Sequence, residues 1–272
     1  MGGYTRKYPT QLGFLGCGSM GGAILAGLLK SKQMEPNQIW VSTRSSSQRL
    51  VEEWGVNDCS IDLLLQKCER IILAVKPQQL SNVVDALQRG LTTKHVVISL
   101  LAGTSVTTLE DELSPARILR TMPNLASHVE AGCTLLYQSK ALSRDELIEC
   151  ETIFSTIGHV EWLAHEEDFH AATALSGCGP AFIALIAEAL ADTAVSRGLT
   201  RAVAQRLTAH TIMGTGELLK SLNPAILKDK VSSPHGVTIQ GVLALEQAGV
   251  RGGVVKAMQA AIMRSEEMEN SK

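Results

Sequence analysis

The stretch QLGFLGCGSMGGAILAGLL, residues 11–29, decides how this chain is read. A short apolar run (Leu12, Phe14, Leu15) meets the glycine-rich turn Gly16-Cys17-Gly18-Ser19-Met20-Gly21. Ala23, Ile24, Gly27 and Leu28 follow at helical spacing. Strand, tight turn and helix in that order are the context a GxGxxG motif needs before it says anything about a ligand. In that context Gly16 makes the sharp turn, Gly18 lets the backbone approach a diphosphate, and Gly21 lets the helix lie against the strand. The helix start offers unpaired N–H groups and the positive end of its dipole to phosphates. A dinucleotide is the expected ligand.

Working outward, Gln38-Ile39-Trp40-Val41-Ser42 predicts a second strand. A free ribose 2′-hydroxyl would call for an acidic residue at its end, about 20 residues past the glycines. Ser42-Thr43-Arg44-Ser45-Ser46-Ser47 stands there instead. Hydroxyls and a guanidinium suit a 2′-phosphate, so NADPH is expected, with NADH possible. The β-branched runs RIILAV (70–75) and HVVISLL (95–101) predict further strands, and residues 79–90 between them have helical spacing. Strand alternating with helix predicts a doubly wound parallel sheet, whose ligands bind beyond the strands' carboxyl ends. Ala74-Val75-Lys76-Pro77, Leu100-Leu101-Ala102-Gly103 and Arg120-Thr121-Met122-Pro123-Asn124 all fall at such ends. The pattern continues through CTLLYQ, a helix near 145–154 and HVEWL, and then changes near Glu166. We expect a Rossmann-type domain over 1–166 and an all-α domain over 167–272.

Residues 168–197 carry apolar side chains on almost every side, broken only at Ser176-Gly177-Cys178-Gly179-Pro180. A helix apolar all round must be buried all round, which predicts a subunit interface. Thr200 and Asn223-Pro224 read as helix starts. The loop Ser232-Ser233-Pro234-His235-Gly236-Val237-Thr238 leads into another helix. Its N–H donors suit a small anion such as a substrate carboxylate, although taken alone Thr238 reads first as an ordinary N-cap.

With a net charge of −2, nucleic acid and anionic membranes are not indicated. No apolar run is expected to reach the roughly 18 residues that span a bilayer. The polar start MGGYTRKYPT does not read as a signal or transit peptide, so a cytoplasmic location is expected. The six scattered cysteines read as reduced thiols. The histidines show no HxxxH or HExxH spacing, and no metal is expected.

From Leu12 to Met263 the chain resembles the pyrroline-5-carboxylate reductase family. The resemblance rests on Gly16-Cys17-Gly18-Ser19-Met20, Ala74-Val75-Lys76-Pro77, Met122-Pro123-Asn124, LSGCGPAF from Leu175, and LKDKVSSPHGVTIQGVLALE from Leu227. It implies an NAD(P)H-dependent reductase for the last step of proline synthesis, built as an interlocked homodimer that can assemble into a ring. By the resemblance, phosphates would sit on Leu15, Gly16, Cys17, Gly18, Ser19 and Met20, and the 2′-phosphate near Thr43, Arg44 and Ser45. Nicotinamide and its ribose would lie against Ala74, Val75, Lys76 and Pro77 and against Leu100, Leu101 and Ala102, with Lys230 near the cofactor. Ser233, Gly236, Val237 and Thr238 would hold the substrate carboxylate, Thr238 would face the imine nitrogen as the catalytic residue, and Glu166 would be a substrate-site acid. Four positions depart from the family's usual residues: Cys17 replaces Ala, Cys178 replaces Ser, His235 replaces Gly and Lys230 replaces Asn or a similar residue. His235 bears on the width of the substrate loop, and Lys230 on the charge beside the cofactor. Two other functions stay open: an imine or 3-hydroxyacid reductase of the same superfamily, and a catalytically silent NADP-binding regulator.

Overall fold

The computed structural model describes residues 8–44, 47–138 and 142–270. Among the described residues, eight strands form one sheet: β1 Leu12–Leu15, β2 Ile39–Ser42, β3 Asn57–Asp58, β4 Arg70–Leu73, β5 Val96–Ser99, β6 Arg117–Pro123, β7 Gly132–Gln138 and β8 Gly158–Trp162. Their order is β3-β2-β1-β4-β5-β6-β7-β8, so the winding direction reverses between β1 and β4. In register, Leu12 of β1 lies between Ile39 of β2 and Arg70 of β4. The helices between strands are α1 Ser19–Lys30, α2 Ser47–Trp54, α3 Ile61–Lys67, α4 Ser81–Gln88, α5 Val106–Leu113 and α6 Arg144–Ser155.

Both faces of the sheet are apolar because the parallel strands are covered twice. Leu12, Phe14, Ile72 and Ile98 face one layer with Ile24, Leu28 and Phe154. Leu15, Ile71, Leu73 and Val97 face the other with Leu64, Leu87 and Leu109. The doubly wound parallel prediction holds with one departure: β7 runs antiparallel to β6. Only the 3-10 turn Leu125–Val129 joins the two, and a parallel return needs a crossover of a dozen or more residues. The strand expected from Gln38 starts at Ile39, since Gln38 closes a 3-10 turn begun by Pro36.

The chain divides into two compact units, residues 1–177 with 262–272, and residues 178–261. After α7 (Asp168–Thr173) comes a π turn, Ala174–Cys178, where the sequence breaks the apolar run. Then follow α8 Gly179–Ser196, α9 Arg201–Leu219, α10 Pro224–Val231, α11 Val237–Gln247 and α12 Val250–Asn270. Thr200 and Asn223 cap α9 and α10 as expected, through side-chain bonds from Val203 N–H and Ala225 N–H. One expectation fails. The helical stretch Asp168–Ser196 is long and apolar enough, by length and composition, to cross a membrane. Its many alanines make each position only mildly apolar, while the sum over the stretch is large.

Candidate active site

Three loops meet at the carboxyl edge of the sheet, each held by a main-chain bond that prolongs a strand pair. Gly16 N–H donates to Ser42 C=O at 2.8 Å, Ala74 N–H to Leu15 C=O at 2.8 Å, and Leu100 N–H to Leu73 C=O at 3.0 Å. The ends of β2, β1, β4 and β5 therefore stand side by side, across the point where the strand order reverses. The expected cofactor residues 15–20, 43–44, 74–77 and 100–102 share this edge. Ser45 lies outside the described residues.

Each glycine of the first turn has its own reason. Gly16 adopts φ +80°, and a Cβ there would come within 2.9 Å of the Ala74 carbonyl group. Left-handed backbone and a neighbouring strand end together exclude a side chain. At Gly21 a Cβ would meet that of Ala74 at 3.2 Å, so the start of α1 presses on the β4 loop. At Gly18 a Cβ would meet nothing within 4 Å. Gly18 is the N-cap of α1 and has no side-chain cap, so the first amides of the helix face this open space. A diphosphate fits such a cradle. Burial pushes the Cys17 thiol up to about 12, so it brings no negative charge to the turn.

Behind the edge, Thr121 Oγ1 donates to Ser99 C=O at 2.9 Å, and Ser99 Oγ accepts from Leu101 N–H at 3.2 Å. These bonds fix the loop expected to meet nicotinamide. Asn124 Nδ2 donates to Ser176 C=O at 2.9 Å, and its Oδ1 accepts from Cys133 N–H at 3.1 Å. Beyond Asn124, His128 reaches the turn, with Nε2 3.1 Å from Ser19 Oγ.

Arg120, expected as the first residue of a segment at a strand end, lies inside the strand, because β6 runs from Arg117 to Pro123. It is 5% exposed, and its guanidinium stacks over Phe169 at 4.4 Å. Nη1 donates to Glu166 Oε1 at 2.6 Å and Nη2 to Glu269 Oε2 at 2.7 Å. Glu166 Oε1 also accepts the N–H of Val106, the first residue of α5, at 2.6 Å. Met268 packs where a Cβ on Gly103 would lie, 3.3 Å from its own Cβ. The last turn of α12 and the loop after β5 are thus braced through one arginine. The available signal is Arg120 itself, a charge inside the strand sequence RILRTMP that has to find a partner. Glu166, expected at the substrate, has its carboxylate engaged by this brace.

Ser233, Gly236, Val237, Thr238 and Lys230 belong to the second unit. Gly236 N–H donates to Ser233 C=O at 3.0 Å, which closes a tight turn. His235 in that turn has φ +58°, a conformation that favours glycine. A Cβ on Gly236 would overlap Ser233 Oγ. α11 then starts at Val237 with Gly236 as its N-cap, so Thr238 lies inside the first turn and does not cap the helix. Its side chain is exposed, as is Lys230 in the last turn of α10.

Comparison with known proteins covers nearly all of the chain. Residues 166–268 match the family model described as pyrroline-5-carboxylate reductase dimerisation, and residues 11–103 match that of NADP oxidoreductase coenzyme F420-dependent. A pyrroline-5-carboxylate reductase of Synechocystis sp. is 40% identical over 263 residues, covering 95% of this chain and 98% of that one. The Escherichia coli protein of the same name is 35% identical over 267 residues, covering 96% and 99%. Among solved structures, a pyrroline-5-carboxylate reductase from Coxiella burnetii has a TM-score of 0.89 at 34% identity, covering 96% and 98%. A pyrroline carboxylate reductase of Plasmodium falciparum with NADP bound has a TM-score of 0.85 at 30% identity, with the same coverage.

Proposed function

The chain belongs to the pyrroline-5-carboxylate reductase family, and on that premise we propose how its own residues reduce L-1-pyrroline-5-carboxylate to L-proline. NADPH, when bound, supplies the hydride from its nicotinamide ring. The open cradle at Gly18 and the first amides of α1 take the diphosphate, with residues 15–20 around it. Thr43, Arg44 and Ser45 take the 2′-phosphate. Residues 74–77 and 100–102 hold nicotinamide and its ribose, and Lys230 adds positive charge for the cofactor.

For the substrate, the amides of Val237 and Thr238 begin a helix and have no preceding turn to bond, so they are free to hold a carboxylate. Ser233 and Gly236 shape that cradle. The Thr238 hydroxyl, released from any capping duty, faces the imine nitrogen. This exposed first turn of α11 is the observation that carries the reading. An iminium carbon accepts hydride readily, so the main task of these residues is orientation, and no strong general base is needed. Glu166 stays in the proposal as a positioning residue that acts through Arg120 and the start of α5.

The division into a nucleotide domain over 1–166 and a helical domain over 167–272 is part of the same proposal, supported by the dimerisation match from 166. So is a homodimer, with the exposed apolar helices as its interface; the resemblance supports a further ring of such dimers. A dimer interface accounts for the apolar stretch of α7 and α8 without a membrane, and we place the enzyme in the cytoplasm.

The direct test is pyrroline-5-carboxylate-dependent loss of reduced-nicotinamide absorbance, and absence of turnover rejects the substrate assignment. Arg44→Asp is expected to weaken NADPH relative to NADH by about ten- to a hundredfold, the worth of one charge-assisted contact. An unchanged KM for NADPH removes Arg44 from the 2′-phosphate site.

A further inference from the structure

The turn Leu125–Val129 carries a titratable side chain to the diphosphate cradle. His128 Nε2 lies 3.1 Å from Ser19 Oγ, and His128 Nδ1 lies 3.2 Å from the Leu125 carbonyl of its own turn. Ser19 is the first residue of α1. Both side chains line a cleft with Cys17, Gly18, Lys30 and Arg49. We propose that His128 is a further cofactor-binding residue, whose cationic ring holds the diphosphate through the Ser19 hydroxyl and through its own charge. This rests on the reading that the diphosphate lies at the start of α1.

The hydrogen-bond inventory supplies the argument. A carbonyl only accepts, so Nδ1 carries a hydrogen. In the neutral ring Nε2 is then a bare acceptor and takes the Ser19 hydroxyl hydrogen. Ser19 is left with nothing to donate to a phosphate oxygen. When the ring binds a second proton from solvent, Nε2 becomes the donor and Ser19 Oγ its acceptor. The hydroxyl hydrogen then turns toward the phosphate, and the ring adds a positive charge beside it. Hydrogen bonds of an ionised group to phosphate are roughly twice as strong as neutral ones. Proton and diphosphate therefore favour each other's binding, by linkage.

The other groups around the cleft come from every element that forms it. Lys30 of α1 pairs with Glu130, just past the turn, at 3.7 Å, and Arg49 pairs with Glu53 on α2 at 3.4 Å. Cys17 is held neutral by burial. Imidazole is the side chain whose charge ordinarily changes between about pH 5 and 8, and none of these neighbours is of that type.

NAD+ is the probe of choice, because NADP+ carries a 2′-phosphate that itself titrates near pH ~6. Calorimetric titration in two buffers of different ionisation enthalpy counts the protons taken up on binding. The wild-type chain is expected to take up a fraction of a proton near neutrality. It should bind NAD+ about five- to tenfold more tightly at about pH 5.5 than at about pH 8.5. His128→Leu and His128→Asn, each verified as folded by circular dichroism, should lose the uptake and flatten the pH dependence. Unchanged proton uptake in both variants overturns the proposal. Ser19→Ala separates the two ways of failing. If it weakens NAD+ while the histidine variants keep the wild-type proton count, the cradle stands and His128 has no part in it. If none of the three variants changes NAD+ affinity, the placement of the diphosphate is itself wrong.

Discussion

Helices α1 and α8 are both rich in apolar residues, and the chain treats them in opposite ways. α1 buries Gly21, Ala23, Ile24, Leu25, Gly27 and Leu28 against the sheet and α6. α8 is half as long again, yet it buries Ala191 alone and leaves Leu185 69% exposed and Leu190 51% exposed. α9 repeats this, with Ala204 its only buried residue. The difference separates a unit that completes its own core from one that leaves its apolar helix faces uncovered. A single chain exposes on α8 and α9 the kind of surface that a soluble monomer covers. The dimerisation match from 166 to 268 supports our proposal that a second copy of the chain covers it.

The largest expected effect tests that contrast directly. Leu185→Asp places a carboxylate where a second copy of the chain is expected to pack, and an unpaired buried charge costs about 3–5 kcal/mol. Sedimentation should show loss of the dimer, with activity down more than about a hundredfold. Val51→Asp on α2, also an exposed apolar side chain but in the self-sufficient unit, should change stability by less than about 0.5 kcal/mol. Equal behaviour of the two variants would erase the distinction.

Thr238→Ala comes next. Gly236, not Thr238, is the N-cap of α11, so thermal stability should stay near wild type. Turnover should fall about ten- to a hundredfold through loss of one hydrogen bond to the substrate, with NADPH binding unchanged. A drop of about 1 kcal/mol in stability with normal kinetics is the signature of a cap, and it would move Thr238 out of the site.

The smallest effect belongs to the self-sufficient unit. Burial pushes the Glu146 carboxyl upward, but hydrogen bonds from Arg117 at 2.5 and 2.6 Å and from Ser143 outweigh it, leaving the group below its ordinary value. A carboxyl lowered in the folded state adds stability that is complete above its unfolded value, near ~4.3, and is lost as pH falls through the folded value. Thermal unfolding followed from neutral pH to about pH 3 should show that loss in the wild type. Glu146→Gln should start about 1–3 kcal/mol less stable and show a shallower acid dependence. Parallel curves for the two proteins would mean that Glu146 contributes nothing through its charge.

How much of this was legible in the sequence depended on the range of the interaction. The turn at Gly16, Gly18 and Gly21 is readable because each glycine answers a local demand: a left-handed φ, an open approach or a close packing contact. The starts of α9 and α10 are readable for the same reason, since a cap is made within three residues. β3 has two residues, and the seven-residue α3 is too short to display a period, so neither leaves a clear signal. The reversal of β7 depends on what a single turn can span, which no strand pattern encodes. The brace joins residues 106, 120, 166 and 269, and only folding brings these positions together. At the candidate site the residue types were legible. That Thr238 is not a cap, and that Glu166 is already engaged, required coordinates.

The bond from Arg120 to Glu269 has a consequence for synthesis as well as for shape. The unit that begins at the first strand is completed by the last turn of α12. On the ribosome, the sheet can assemble as soon as β8 has emerged, but Arg120 waits for its second carboxylate until Glu269 has emerged, about a hundred residues later. α8 and α9 emerge during that wait, with their apolar faces uncovered and no second copy yet paired. The interval between the appearance of α8 and that of Glu269 is thus one in which a nascent chain is exposed to aggregation, and it is when a chaperone would have most to offer.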